Sequence, residues 1–365
     1  MAKKVKVEQD NKKWMTFFAN EGFKLASELP DLTSSIIPLP SPTLNWAIGN
    51  GGIVEGKWVL LFGPESGGKS LLMQLMLAEI LKKYPDGICV LFDTEYSLSK
   101  EWFARLGGDP SRLELKQTNK PLEIFDWVNN KLKPKIEEGM PVKAICIDSI
   151  RAIQFPKDEG ETTGARMGGS GAGYLTRALK ALVPAVKPNN ITTILTQHVY
   201  EELDQWKKMR NPWIVPDGRT LRHYSDYMAQ VERIDNKDSF ITQNKVIVGH
   251  KVRVTMKKNK TAAPFRKAEF QLDYEQGIIN TDKEVYDLAK SLGVVGHPID
   301  PTTGQPNVHG GWTIPTLMTP EETLRNEKEM MAFVSQNTEK VLIACGMQGR
   351  EEDTIPLEGE EKDTP

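Results

Sequence analysis

The stretch GPESGGKS at residues 63–70 fits the pattern G-x-x-x-x-G-K-[ST]. In that pattern a loop turns its backbone N–H groups toward a phosphate chain, a lysine adds positive charge and a hydroxyl is offered to Mg²⁺. Gly63, Pro64, Glu65, Ser66, Gly67 and Gly68 would form the cradle, Lys69 the cation and Ser70 the metal-facing hydroxyl. Such a cradle specifies a bound nucleotide and leaves its use open. Two carboxylates suggest that use. Asp148 closes the apolar run KAICID, where it would either hold the water shell of Mg²⁺ or cap a turn. Glu95, in LFDTEYS, would either accept a hydrogen bond from a water attacking the terminal phosphate or be an ordinary surface carboxylate.

These residues need elements to place them. KWVLLF (57–62) reads as a buried strand and KSLLMQLMLAEILKKY (69–84) as a buried helix, the strand–loop–helix context the motif requires. Strands follow at 88–93, 143–148 and 191–197, with helices predicted near 99–106, at 121–138 and at 174–186. The alternation predicts an α/β fold, a mostly parallel sheet covered by helices on both faces. Beyond residue 225 the pattern changes to strands alone. Ahead of the core, Trp14, Phe17, Phe18 and Leu25 fall near one helical face, suited to docking on another subunit or to packing on the chain's own core.

Composition narrows the class. With 365 residues, 39% apolar and 26% charged, the chain can bury a large core. It has no apolar run near the ~20 residues of a membrane span and no apolar stretch behind its N-terminal lysines, so a cytoplasmic protein is expected. Cys89, Cys146 and Cys345 lie far apart and form no metal or redox motif. The net charge of −2 is unevenly spread: residues 351–365 carry seven acidic groups and one lysine, leaving +4 (−2 minus −6) on the other 350. Residues 251–267 hold seven Lys or Arg and no Asp or Glu, either a phosphate-facing patch or a solvated strand face.

GPESGGKS, LFDTEYSLS, AICIDSI and above all VTMKKNKTAAPFRKAEFQLDYEQGI resemble the RecA family of homologous-recombination ATPases, in the same order and at similar spacings. The resemblance covers roughly residues 38–290. KKYPDGICVLFDTEY, LGGDPSRL and NNITTILTQHVYEE are similar to recombinases carried by bacteriophages. It implies an ATP- and Mg²⁺-dependent recombinase that forms helical filaments on single-stranded DNA and pairs it with homologous duplex DNA. A single-strand-binding protein or loading factor would be a further partner, and no membrane is involved. The implied domains are an N-terminal oligomerisation segment (1–37), the ATPase core (38–282), a small C-terminal domain (283–350) and a disordered acidic tail (351–365), which would serve either autoinhibition or solubility.

By the same resemblance, Lys69, Ser70 and Asp148 match the phosphate and Mg²⁺ ligands and Glu95 the water-positioning glutamate. Gln197 matches the glutamine that senses the γ-phosphate and signals to a DNA loop. Trp102 matches an adenine-stacking aromatic, although a core-facing helix residue is the alternative. Lys258 and Lys260 match a pair that reaches the γ-phosphate of a neighbouring subunit. Gly67 stands where the bacterial loop usually has serine. Residues 156–173, with six glycines and Arg166, resemble the first DNA loop. Residues 198–226 match the second and interleave Trp206 and Trp213 with Lys207, Lys208, Arg210, Arg219 and Arg222, a mixture suited to stacking bases while tracking phosphates. A hexameric DNA helicase or a non-hydrolysing single-stranded-DNA scaffold would share the nucleotide core.

Overall fold

Apolar runs of five to seven residues, rich in Val, Ile, Leu and Cys and bounded by Gly, Asp or Ser, are what a strand buried on both faces demands. The chain supplies them in succession. A computed structural model describes residues 16–23, 25, 27, 35–155, 170–210, 212–216, 218–234, 236, 239–300, 302–319 and 322–347, without the side chains of 170–172, 207 and 210. Two units are distinguished, one up to Ser35 and one from Ile36. In the first, residues 16–20 are helical and Phe18 meets Phe17 and Phe23 edge-on at ring separations of 5.5 and 5.4 Å. Trp14 lies outside the described residues.

In the second unit, short strands β1 (Ile36–Ile37) and β2 (Ile53–Val54) pair with each other and flank helix α1 (Pro42–Ile48). The main sheet then begins with β3 (Trp58–Gly63), which feeds helix α2 (Lys69–Lys83). Strand β4 (Ile88–Asp93), helix α3 (Lys100–Arg105), β5 (Leu113–Gln117), helical turns over 122–137 and β6 (Val142–Asp148) follow. Helix α5 (Ser170–Val186) leads into β7 (Thr192–His198), with α4 taken as Lys133–Glu137. Next come β8 (Tyr200–Glu201), α6 (Gln205–Arg210), β9 (Trp213–Ile214) and α7 (Gly218–Tyr224). Strands β10 (Tyr227–Arg233), β11 (Phe240–Gln243), β12 (Val246–Asn259), β13 (Lys267–Asp273) and β14 (Gly277–Ile279) complete the sheets.

Among the described residues the main sheet has ten strands, in the order β14-β13-β12-β10-β3-β7-β6-β4-β5, with β11 on β12. The six strands from β10 to β5 are parallel, and β11 to β14 join antiparallel. Period-2 alternation sorts β3 between two cores: Val59 and Leu61 face one apolar cluster, Trp58, Leu60 and Phe62 the other. Helix α2 is buried from Leu71 to Ala78 because it lies between sheet and neighbouring helices, and each fully buried Leu or Met there contributes roughly 1.5–3 kcal/mol. Helices α8 (Thr281–Ser291), α9 (Glu327–Gln336) and α10 (Thr338–Ala344) put Val285, Tyr286, Met330, Val334 and Val341 into the first of these clusters. The three cysteines are buried and unbridged. No described helix is long and apolar enough to cross a membrane.

Candidate nucleotide and DNA site

The parallel strands bring their carboxyl ends to one edge, where loops can offer backbone donors to a ligand. Strand β3 ends in the glycine loop, and β10 runs close behind it. A Cβ on Gly63 would lie 1.9 Å from the Val231 carbonyl oxygen and one on Gly67 2.9 Å from the same atom, so this approach excludes side chains. Lys69 is buried and donates to the carbonyls of Gly63 at 3.0 Å and Pro64 at 2.7 Å. Burial draws its pKa below the ordinary lysine value, and the charges of Asp148, Glu95 and Glu65 oppose that shift.

Asp148 ends β6 beside β7, accepts hydrogen bonds from the hydroxyls of Thr196 and Ser70, and precedes a cis peptide bond to Ser149. Burial raises its pKa, and those two hydroxyls pull it down. One carboxylate next to one hydroxyl on a phosphate-binding loop is a hard-oxygen set that suits Mg²⁺, which keeps most of its waters and takes few protein ligands. Glu95 stands on the turn after β4. Asp93 shapes that turn by accepting from the N–H groups of Ser97 at 2.8 Å and Leu98 at 3.0 Å. Thr94 fastens it to Ser149 through bonds of 2.7 and 2.8 Å. The Ser149 hydroxyl donates to Glu95 Oε1 at 2.5 Å, and His198 Nε2 lies 3.0 Å from the same oxygen. His198 first, then the Ser149 hydroxyl and Lys69, hold the Glu95 carboxyl down to about 2 against the opposing effect of burial, so it is ionised at neutral pH.

Gly67, Lys69, Ser70, Glu95 and His198 line one open cleft of about 460 Å³ that also includes Trp102, His250 and Tyr274, and Asp148 adjoins it through the Ser70 hydroxyl. On α3 it is Phe103 that enters the core, at 0% exposure; Trp102, at 37%, borders the cleft. His250 Nδ1 lies 3.1 Å from the Tyr274 hydroxyl across paired strands. Sequence reading passed over His198, His250, Tyr274 and Asp93. The D-x-E spacing of Asp93 and Glu95 was a usable signal, and Tyr274 stood inside the most family-specific stretch.

Gln197 is fully buried at the end of β7 and donates from Nε2 to the Pro216 carbonyl at 3.2 Å, which ties it to the 198–226 segment. That segment forms a small β8–β9 ribbon carrying α6. Trp206 is 83% exposed; Trp213 is half-buried on β9. Lys208 pairs with Glu201, and Arg219 and Arg222 are exposed on α7. The side chains of Lys207 and Arg210, the whole of Arg166 with residues 156–169, and the tail 351–365 lie outside the described residues.

Lys258 and Lys260 do not join the cleft. Lys260 follows the Asn259–Tyr227 pairing, and Tyr227 pairs Val59, four residues before Gly63, so Lys260 is set back along the strands by roughly 13 Å from the glycine loop. Lys258 Nζ donates to the Ser225 carbonyl at 2.7 Å and to the Arg222 carbonyl, at the end of α7. Lys260 Nζ lies 3.0 Å from Asp226 Oδ1, and Lys187 holds the other oxygen of that carboxylate.

A family model described as the RecA N-terminal domain matches residues 16–279. Protein RecA of Aquifex pyrophilus is 33% identical over 264 residues, 71% of this chain and 70% of that protein. Protein RecA of Mesomycoplasma hyopneumoniae (strain J) is 28% identical over 279 residues, 76% of this chain and 78% of that protein. The mitochondrial DNA repair protein recA homolog of Dictyostelium discoideum is 28% identical over 273 residues, 74% and 57% of the two chains.

Proposed function

The chain belongs to the RecA family of ATP-dependent DNA recombinases, which are DNA-dependent ATPases, and we propose that the residues assembled above carry that activity. Lys69 and the loop N–H groups bind the β- and γ-phosphates of ATP, and Trp102 stacks on the adenine. Ser70 and Asp148 would hold Mg²⁺, whose chemistry when bound is to neutralise charge on the phosphates. Glu95, ionised and fixed through one oxygen, orients the attacking water. The second DNA segment (198–226) and the first (156–173, with Arg166) track a single strand and present it to a homologous duplex. The observation that supports this reading best is the split of cations between the two ends of the sheet. Lys69 serves the chain's own cleft, whereas Lys258 and Lys260 lie outside it, bonded to Ser225 and Asp226, a placement that suits the nucleotide of another subunit. ATP would thereby join subunits into a helical filament and hydrolysis would loosen them.

The remaining organisation belongs to the same reading: residues 1–37 for oligomerisation, 283–350 as a C-terminal domain, 351–365 as an acidic tail, and a cytoplasmic, phage-type recombinase loaded by an accessory protein. Phosphate release with and without single-stranded DNA tests it. Glu95→Gln should abolish turnover yet keep ATP-dependent DNA binding. A non-hydrolysing scaffold would show no turnover in the parent either, and closed rings rather than helical filaments in electron micrographs would favour a helicase.

A further inference from the structure

We propose that Gln74 reads the base of the bound nucleotide, accepting a hydrogen bond from the 6-amino group of adenine and so setting a preference for ATP over triphosphates that lack that group. The inference rests on the recombinase reading given above. Helix α2 reads LLMQLMLA from Leu71 to Ala78, and Gln74 is the one polar side chain in that run. The phosphate-loop pattern ends at Ser70, so it does not call for an amide here. Gln74 is 8% exposed, and its Oε1 is buried without a partner among the described residues. A buried amide oxygen without a donor is costly, and a methionine would fill the same space without that cost.

Its place in the cleft limits which ligand atom can answer it. Gln74 lines the same cleft as Lys69, Ser70 and Trp102. Ser70 and Gln74 are four residues apart on α2, hence on one face and ~6 Å apart along its axis. Ser70 belongs to the phosphate end, and Trp102, on α3, to the base end. A nucleotide laid from one to the other passes Gln74 with its nucleoside. Phosphate oxygens are acceptors, as Oε1 is, so the partner must be a donor on that nucleoside. Adenine offers its 6-amino group, and a glutamine amide pairs with the adenine edge in its own plane, Oε1 to N6 and Nε2 to N7. A carbonyl at the same position, as in guanine or hypoxanthine, would set two acceptors against each other.

The test is equilibrium nucleotide binding by the full-length chain. The probes are ATP, purine riboside triphosphate, which has no 6-substituent, inosine triphosphate, which has a 6-carbonyl, and deoxy-ATP, which lacks a ribose hydroxyl. The parent should bind ATP roughly five- to ten-fold more tightly than purine riboside triphosphate, the effect of one hydrogen bond, and inosine triphosphate no better than purine riboside triphosphate. In Gln74→Met, which keeps length and bulk, ATP should weaken to the level of purine riboside triphosphate, while that probe binds as it does to the parent. In phosphate release the loss should fall on KM more than on kcat. Equal weakening of both probes in Gln74→Met would mean that the amide serves packing. A preference for ATP that survives in Gln74→Met would mean that the base is read elsewhere, and a loss confined to the discrimination against deoxy-ATP would place the amide on the ribose; each of the three overturns the proposal. Thermal melting identifies a Gln74→Met chain that fails to fold, and Gln74→Leu with the parent's own ranking of the probes then decides, equal binding of ATP and purine riboside triphosphate by the parent overturning the proposal. Absence of DNA-stimulated phosphate release in the parent would remove the recombinase reading itself, and the ranking of the probes would still report on Gln74.

Discussion

Lys260 Nζ lies 3.0 Å from Asp226 Oδ1, on a carboxylate that is 5% exposed. Lys187 and the Trp58 N–H, at 2.9 Å, already occupy the other oxygen. Burial pushes the Asp226 carboxyl up, but Lys187, Trp58 and Lys260 together outweigh it, so the group stays ionised. One buried negative charge thus has two cations, and Lys260 is the one nearer solvent. Its departure leaves Asp226 paired, which avoids the penalty of an unpaired buried charge.

Reach to a neighbour follows from that surplus. Lys258→Ala and Lys69→Ala should each be nearly inactive alone, yet mixing them should restore part of the phosphate release, because some interfaces would join an intact cradle to intact lysines. Lys187→Met should raise the ATP concentration needed for filament formation by roughly three- to ten-fold, about 1 kcal/mol, since Asp226 would then retain Lys260. Absence of rescue at every mixing ratio, with both variants folded and co-assembling, would exclude action across an interface.

Gly67 offers a second check. Serine is the usual residue of the bacterial loop at this position, but here a Cβ would stand 2.9 Å from the Val231 carbonyl, on a strand bonded to neighbours on both sides. Gly67→Ser and Gly67→Ala should therefore each cost about 1–3 kcal/mol of stability and weaken nucleotide binding together. Calorimetric melting and titration with a fluorescent nucleotide would measure both. Variants that melt and bind like the parent would mean that the loop shifts freely.

Sequence pattern exposed the glycine loop, the strand ends bearing Asp148 and Gln197, and the parallel character of the sheet, because each is written in a short window of apolar and turn residues. Contacts that depend on strand order were not legible. Asp226 and Lys187 are 39 positions apart and meet only because β10 lies beside β3 and β3 beside β7. His198 and Glu95 are 103 positions apart and meet across the ends of β7 and β4. The edge strand β5 was missed because LELKQ is half exposed and lacks an apolar run.

Glu284 provides a pH dependence. Its Oε1 accepts from the Ser41 hydroxyl at 2.5 Å, the Thr43 N–H at 2.8 Å and the Thr43 hydroxyl at 2.9 Å, which fastens α8 to the start of α1. Burial lifts the carboxyl from 4.5 to about 7 in spite of these donors. The folded state therefore holds a proton that the unfolded chain has released, so the contribution is fully present below about pH 4.5 and is lost as pH rises through about 7. A shift of that size corresponds to on the order of 3 kcal/mol. Denaturant unfolding of the parent should lose stability between pH 5 and pH 8 relative to Glu284→Gln, and parallel profiles for the two proteins would contradict the assignment.

In the segment proposed to bind DNA, 198–226, two kinds of contact can be told apart. Trp206, Leu203 and Met209 are 83%, 90% and 82% exposed around α6, so the Trp206 ring has no core to serve. Stacking one base on such a ring is worth roughly 1–3 kcal/mol and hardly depends on salt, whereas each phosphate contact adds about 0.7 to the log–log salt slope for single strands. Trp206→Ala should lower affinity for single-stranded DNA roughly 5- to 100-fold with the slope unchanged. Lys208 pairs with Glu201, so Lys208→Ala should reduce the slope by less than a full contact, and Glu201→Gln, which frees the lysine, should increase affinity. Trp213, half-buried on β9, is expected to respond less than Trp206. All these effects should require ATP, because Pro216 of this segment accepts the Gln197 amide, next to His198 in the lining of the nucleotide cleft. Fluorescence titrations over a salt series, with and without a non-hydrolysable ATP analogue, would measure them. If Trp206→Ala binds like the parent and its loss leaves the fluorescence response to DNA intact, α6 contacts another subunit, and DNA binding rests with the other basic residues.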